Sequence, residues 1–125
     1  PLEVYGNLST AYRRGGAIDQ AVATARRGLE IGQSSSLFNA LGNALAGRGD
    51  HLDAVRAYEA GLALDPDQLQ LLFNLARSYE SLNRPGDAIL TYQKVLRQLG
   101  EQLPDRKSFI ERRITQLEMG RGSRQ

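Results

Sequence analysis

The sequence predicts an all-α chain, an α-solenoid of three helix-turn-helix units closed by a C-terminal capping helix. Three observations predict it. The chain repeats itself with spacings of 33 and 34 residues. Each repeat carries two apolar stripes of helical period separated by a turn signal. Beyond Gly100, a further stripe of helical period starts after Pro104-Asp105.

The repeat is legible as columns. The same two spacings join Tyr5, Phe38 and Leu72; Leu8, Leu41 and Leu75; Ser9, Gly42 and Ala76; and Tyr12, Leu45 and Tyr79. They also join Ala21, Ala54 and Ala88; Ala25, Tyr58 and Tyr92; and Leu29, Leu62 and Leu96. The first unit covers residues 2–34. Its turn is marked by Gly16, and it ends on Gly32 and Ser34, a C-cap and an N-cap signal. The second covers 35–68. Phe38, Leu41 and Leu45 form its first stripe. Gly49-Asp50 breaks the helix and offers a cap. Ala54, Val55, Tyr58, Leu62 and Leu64 form the second stripe. Asp65-Pro66 reads as the cap and first residue of the next helix. The third covers 69–102. Asn83 replaces Gly at its turn, since Asn tolerates the left-handed conformation, and Pro85 suits the helix start that follows. The small columns mark close approach of two helices, where a larger side chain would push the pair apart. Residues 104–118 form the capping helix, with Ile110, Ile114 and Leu117 inward and Phe109 flanking. Residues 119–125 read as a flexible basic tail. A single helical hairpin cannot bury its apolar face, so stacked neighbours must complete each core.

Composition narrows the function classes. Hydrophobic residues make up 41% and charged residues 24%, which suits a folded globular chain. Cysteine is absent and His51 is the only histidine, which excludes disulfides, thiol catalysis and Cys- or His-rich metal sites. No cofactor or metal is expected. Carboxylates are scattered without paired spacing, and no strand precedes a Gly-rich phosphate loop. No apolar run reaches the roughly 20 residues a membrane span needs. A soluble, cytoplasmic setting is slightly favoured. The preponderance of Arg over Lys hints at a G+C-rich, bacterial coding sequence.

The period, with aromatic-x-x-Leu-Gly-x-x-aromatic followed by Ala, an aromatic, a small residue and Pro, resembles the tetratricopeptide repeat. Phe38, Leu41, Gly42, Leu45, Ala54, Tyr58, Gly61 and Pro66 make the second unit its best copy. The resemblance covers residues 2 to about 100. It implies a right-handed superhelix whose first helices line a concave groove for an extended peptide or a partner helix. On that basis the chain is a non-catalytic protein-interaction scaffold. The alternatives are a regulatory or targeting domain of a larger enzyme and, more weakly, nucleic-acid binding through the basic C-terminal helix.

Groove positions lie off the apolar stripe of each first helix, spaced by about one turn. The candidate peptide-binding residues are Asn7, Thr10, Arg13, Asn39, Asn43, Gln70, Phe73, Asn74 and Arg77. Asn39 and Asn43 are one turn apart, and Asn74 falls on the adjacent first helix. Amides donate and accept, so they can clamp a peptide backbone without reading its side chains. Asn7 and Asn74 share a column that Ala40 interrupts. Phe73 reads equally as a hot-spot anchor or as packing beneath the C-terminal helix. Arg13, Arg14 and Arg77 could meet an acidic ligand or a C-terminal carboxylate. Chaperone-binding members of the family use a two-carboxylate clamp of Lys, Asn, Asn, Lys and Arg. Asn43 and Asn74 match two of those slots, Asn39 replaces the first Lys, and the final basic pair is out of register. Changing Asn43 and Asn74 together to Ala is expected to weaken a partner while leaving stability nearly unchanged.

Three remaining features read as structural. His51 reads as a surface turn residue. Arg48-Gly49-Asp50 spells an adhesion tripeptide, but Gly and Asp are the turn signature here. Segment 106–125 carries a net charge of +4 and leaves −2 for the rest, which fits a solvated cap with a basic tail. Self-association through the uncapped N-terminal end is a further expectation, beside a protein or peptide partner in the groove.

Overall fold

The computed structural model of the chain describes residues 1–100 and 104–123. These form helices α1 (Leu2–Arg14), α2 (Ile18–Ile31), α3 (Ser35–Gly47), α4 (His51–Leu64), α5 (Leu69–Ser81), α6 (Pro85–Leu99) and α7 (Pro104–Ser123). No strand occurs among the described residues.

The three hairpin turns share one device. Gly16 and Gly49 have φ of +87° and +90°, and Asn83 holds the same place with φ of 57°. The left-handed residue lets the next backbone N–H reach back five residues. Ala17 donates to Tyr12 O at 2.8 Å, Asp50 to Leu45 O at 2.9 Å and Arg84 to Tyr79 O at 2.9 Å. These bonds satisfy carbonyls that the preceding helix leaves open.

Two helix starts differ from expectation. Asp50 occupies the N-cap position of α4, but its side chain makes no capping bond. Instead it accepts from Arg48 Nε at 2.7 Å, which engages the Arg-Gly-Asp tripeptide within the chain. Asp65-Pro66 does not open α5. Asp65 is the C-cap of α4, and Gln68 caps α5, its side chain accepting from Leu71 N at 2.8 Å. Proline disfavours a helical residue before it, so the chain turns through Asp65, where Gln68 N donates to Asp65 O at 3.3 Å, before the next helix forms. The expected caps at Ser34 and Pro85 are present. Ser34 Oγ accepts from Leu37 N at 3.0 Å, and Pro85 starts α6.

Helices pack in sequence. Each hairpin pairs α1 with α2, α3 with α4 and α5 with α6, and α2–α3, α4–α5 and α6–α7 contacts stack the hairpins. Among the odd-numbered helices α1 touches α3 and α3 touches α5, whereas α2, α4 and α6 do not touch one another. The array therefore curves with α1, α3 and α5 on its concave side.

Two apolar clusters replace a single core. One joins α2, α3, α4 and α5 through Ala21, Val22, Leu41, Leu45, Ala54, Tyr58 and Leu71. The other joins α5, α6 and α7 through Leu72, Ala76, Ala88, Tyr92, Val95, Ile110 and Ile114. Leu62 and Tyr79 pack against both. The small columns work as close-approach points. A Cβ on Gly42 would overlap the Tyr58 ring. Ser9 is buried, and its hydroxyl donates to Ala21 O at 2.7 Å.

Leu8 and Leu64, expected on the stripes, are 42% and 49% exposed. The column mates of Leu8, Leu41 and Leu75, are buried because helices α2 and α4 lie against α3 and α5. No described helix covers that side of α1. Helix α7 buries Ile110 and Ile114. It is fastened to α5 by Glu80, which accepts from Arg113 Nε at 2.6 Å and also from the Tyr92 hydroxyl. Burial and that bond push the Tyr92 phenol up. Helix α7 runs to Ser123, five residues past the expected end of the cap. Arg121 lies over Gly86, where a Cβ would sit 3.7 Å from its guanidinium, and a basic residue in the last turn suits the helix C-terminus. Arg124 and Gln125, expected in a tail, lie outside the described residues.

Candidate functional site

The concave side carries the predicted residues on three parallel helices. Asn7, Thr10 and Arg13 lie on α1, Asn39 and Asn43 on α3, and Gln70, Phe73, Asn74 and Arg77 on α5. They separate into three neighbourhoods and an arginine-lined cleft that adjoins the first.

The middle one is a hydrogen-bonded network. Asn74 Nδ2 donates to Asn39 Oδ1 at 2.8 Å and to Asn43 Oδ1 at 3.1 Å. Tyr58 of α4 donates its hydroxyl to the same Asn43 oxygen at 2.7 Å. Gln70 Nε2 donates to Asn74 Oδ1 at 3.2 Å. Asn74 is only 8% exposed, and both of its polar atoms are engaged. It is the hub that orients Asn39 and Asn43, and its own amide is already spent inside the protein. The expectation that Asn74 can be removed without loss of stability is therefore corrected. A buried amide with three bonds costs more to delete than an exposed one. The Nδ2 groups of Asn39 and Asn43 make no bond among the described residues, and both residues line the cleft between α1 and α3. Burial pushes the Tyr58 phenol up to about 12, against a lowering by the Arg13 and Arg77 charges. It therefore stays a neutral donor.

The second neighbourhood is a cleft of about 530 Å³ between α1 and α3, lined by Glu3, Asn7, Thr10, Ser36, Asn39 and Asn43 among others. Ala40, which lines the same cleft, has no polar side-chain atom to pair with Asn7. Asn7 is exposed.

The third is the α5–α7 end. Phe73 meets Tyr92 edge to face, with centroids 5.9 Å apart, and Phe109 of α7 at 6.5 Å. It lines a mostly apolar cleft of about 330 Å³ with Leu69, Gln70, Val95 and Phe109. Of the two readings of Phe73, packing beneath the C-terminal helix is present, and the ring still borders open space.

Arg13 and Arg77 come together. Both line a polar cleft of about 300 Å³ with Asn43, His51, Tyr58 and Asn74. His51 was expected as a surface turn residue, but it is half-buried at the first position of α4, with Nδ1 buried and unpartnered among the described residues. Tyr58 and His51 are groove-floor residues that sequence reasoning missed. Tyr58 sat in an apolar column, although a buried tyrosine hydroxyl needs a partner. That was the available signal, and Asn43 was the polar residue within reach.

Among the described residues no cluster of His, Cys, Asp and Glu is placed to hold a metal ion. No described helix is long and apolar enough to cross a membrane.

The sequence profile of the tetratricopeptide repeat matches residues 39–104, more than half of the chain. The chain belongs to the tetratricopeptide repeat family. No curated protein matches it in sequence. Solved tetratricopeptide and chaperone structures match it in shape at low identity. The Yersinia enterocolitica type III secretion chaperone SycD, in complex with a peptide of the translocator YopD, superposes with a TM-score of 0.87 at 14% identity, covering 96% of this chain and 94% of that one. PcrH, a Pseudomonas aeruginosa protein, in complex with the chaperone binding region of PopD gives 0.83 at 16% identity, covering 96% and 92%. The first repeat domain of Spaghetti (RPAP3), bound to the HSP90 peptide SRMEEVD, gives 0.84 at 13% identity, covering 97% and 93%. At these identities the likeness is one of fold, an all-α solenoid of tetratricopeptide hairpins.

Proposed function

We propose that the chain is a non-catalytic interaction module that holds an extended segment of a partner protein along the concave face of α1, α3 and α5. One observation carries the reading. The Oδ1 atoms of Asn39 and Asn43 are held by Asn74 and Tyr58, and both residues line the cleft between α1 and α3 with no Nδ2 bond among the described residues. Fixed amide donors grip peptide carbonyls with little loss of side-chain freedom on binding. The peptide-bound states of SycD and of the Spaghetti repeat domain support it by analogy of fold. Segments 35–68 and 69–102 would supply most of the grip, with 2–34 extending the groove and 104–118 closing its far end. The test is capture of a partner from extracts of the source cells. The double change Asn39→Ala with Asn43→Ala should reduce capture at least about tenfold, equivalent to the loss of one or two good hydrogen bonds. Arg56→Ala with Gln93→Ala, on the convex helices α4 and α6, should leave it unchanged. If the convex pair abolishes capture and the groove pair does not, the groove is not the site.

A further inference from the structure

Arg13 and Arg77 enter one cleft from opposite sides, Arg13 from the last turn of α1 and Arg77 from α5, with α3 between them. Both charges act on the Tyr58 phenol at the cleft floor. No carboxylate lines the cleft. Among the described residues neither arginine has an ion pair, whereas Arg48, Arg56, Arg84 and Arg113 each hold an acidic partner. Two like charges converging beside a buried phenol repel one another, and an anion between them would relieve that repulsion. Asn43 Nδ2 adds an unbonded donor at the same wall.

We infer that this cleft seats the side-chain carboxylate of an Asp or Glu in the bound peptide. The inference rests on the groove reading and adds to it an acidic requirement at one position. The geometry suits a carboxylate because each planar guanidinium presents a fork of donors, and two forks satisfy its two oxygens. Asn39 and Asn43 would hold the adjacent peptide backbone, so the acidic residue is read where the backbone is already fixed.

The test is a nitrogen-labelled NMR titration at low salt with the acetylated, amidated peptide Glu-Ala-Glu-Ala-Glu, its Gln counterpart and its phosphoserine counterpart. The Glu peptide should move the Arg13 and Arg77 Nε–H signals and the Asn43 amide. It should bind at least about tenfold tighter than the Gln peptide, the scale of one charge-assisted pair. Arg13→Gln or Arg77→Gln should reduce its affinity to the level of the Gln peptide, with helical content unchanged. The Lys variants should recover part of it, since they keep the charge and lose the fork. Arg112→Gln on α7 should have no effect. Equal binding of the Glu and Gln peptides, with Asn39 and Asn43 signals moving in both, would overturn the acidic pocket and leave the groove standing. Shifts confined to α7, or none, would overturn it as well, and the capture test then decides the groove separately. If the phosphoserine peptide alone engages both arginines, the cleft is a phosphate site and the assignment to a carboxylate is wrong.

Discussion

Between α3 and α5 the groove floor is a closed set of hydrogen bonds; between α1 and α3 it is an open cleft. Yet the two halves use the same column of the repeat. Asn7, Ala40 and Asn74 are equivalent residues. Asn74 is buried because Asn39 and Asn43, one helix back, accept both of its amide protons. Among the described residues no helix lies before α1 to do so, and Asn7 stays exposed. The difference teaches that a polar column becomes structural only where its neighbour supplies the complement. Elsewhere the same residue stays available to a ligand. The α3–α5 half is therefore a fixed hydrogen-bonded floor, and the α1–α3 half is an open cleft in which Asn7 stays exposed.

Stability measurements can break this contrast. The largest effect is expected at Gly42, where a Cβ would lie 2.6 Å from Cδ1 and 2.8 Å from Cζ of the Tyr58 ring. Gly42→Ala should cost about 1–3 kcal/mol through overpacking, and it should displace Tyr58 from Asn43. Ser9→Ala, in the same column of the first unit, loses one bond and should cost about 1 kcal/mol. Urea unfolding of both variants checks this. Equal costs would show that the column does the same work in both halves.

Next is the Asn pair. Asn74→Ala strands partners on α3 and should cost about 1–3 kcal/mol. Asn7→Ala should stay within about 0.5 kcal/mol. Thermal melts separate them, and a silent Asn74→Ala would remove the hub from the account.

Tyr58 sharpens the contrast with pH. Its phenol is pushed up from 10.0 to about 12, chiefly by burial. The fold favours the neutral form, so the stability it contributes is complete below the ordinary phenol pKa and is lost as pH rises through about 12. Stepped-pH urea titrations should show wild type losing stability between pH 10.0 and about 12, with Tyr58→Phe losing less over that window. Near neutral pH the same change should cost about 1 kcal/mol for the bond to Asn43. The smallest effect is expected at exposed Gln70, where Ala should cost no more than about 0.5 kcal/mol.

Much of this was legible in the sequence. The repeat spacing set Asn39, Asn43 and Asn74 on adjacent faces, and the three turns fell at Gly16, Gly49 and Asn83 as expected. The helical pattern of Ile110 and Ile114 found the cap. What was not legible depended on contacts between helices. Nothing local distinguishes a buried Asn74 from an exposed Asn7 in the same column. His51 and Tyr58 reach the groove floor from the second helix of their hairpin, through the gap between α3 and α5. The start of α5 at Leu69 lies three residues beyond the one read from Asp65-Pro66, because its cap, Gln68, is not among the residue types that favour that position. The extension of α7 past Met119 runs through glycines that sequence alone reads as a stop.

The most direct test places a photo-crosslinking residue at position 36, which is exposed in the groove one turn before Asn39, and in a second protein at position 93, on the convex face of α6. Irradiation with extracts of the source cells should give a discrete partner adduct from position 36 and none from position 93. An adduct from position 93 alone would contradict the account.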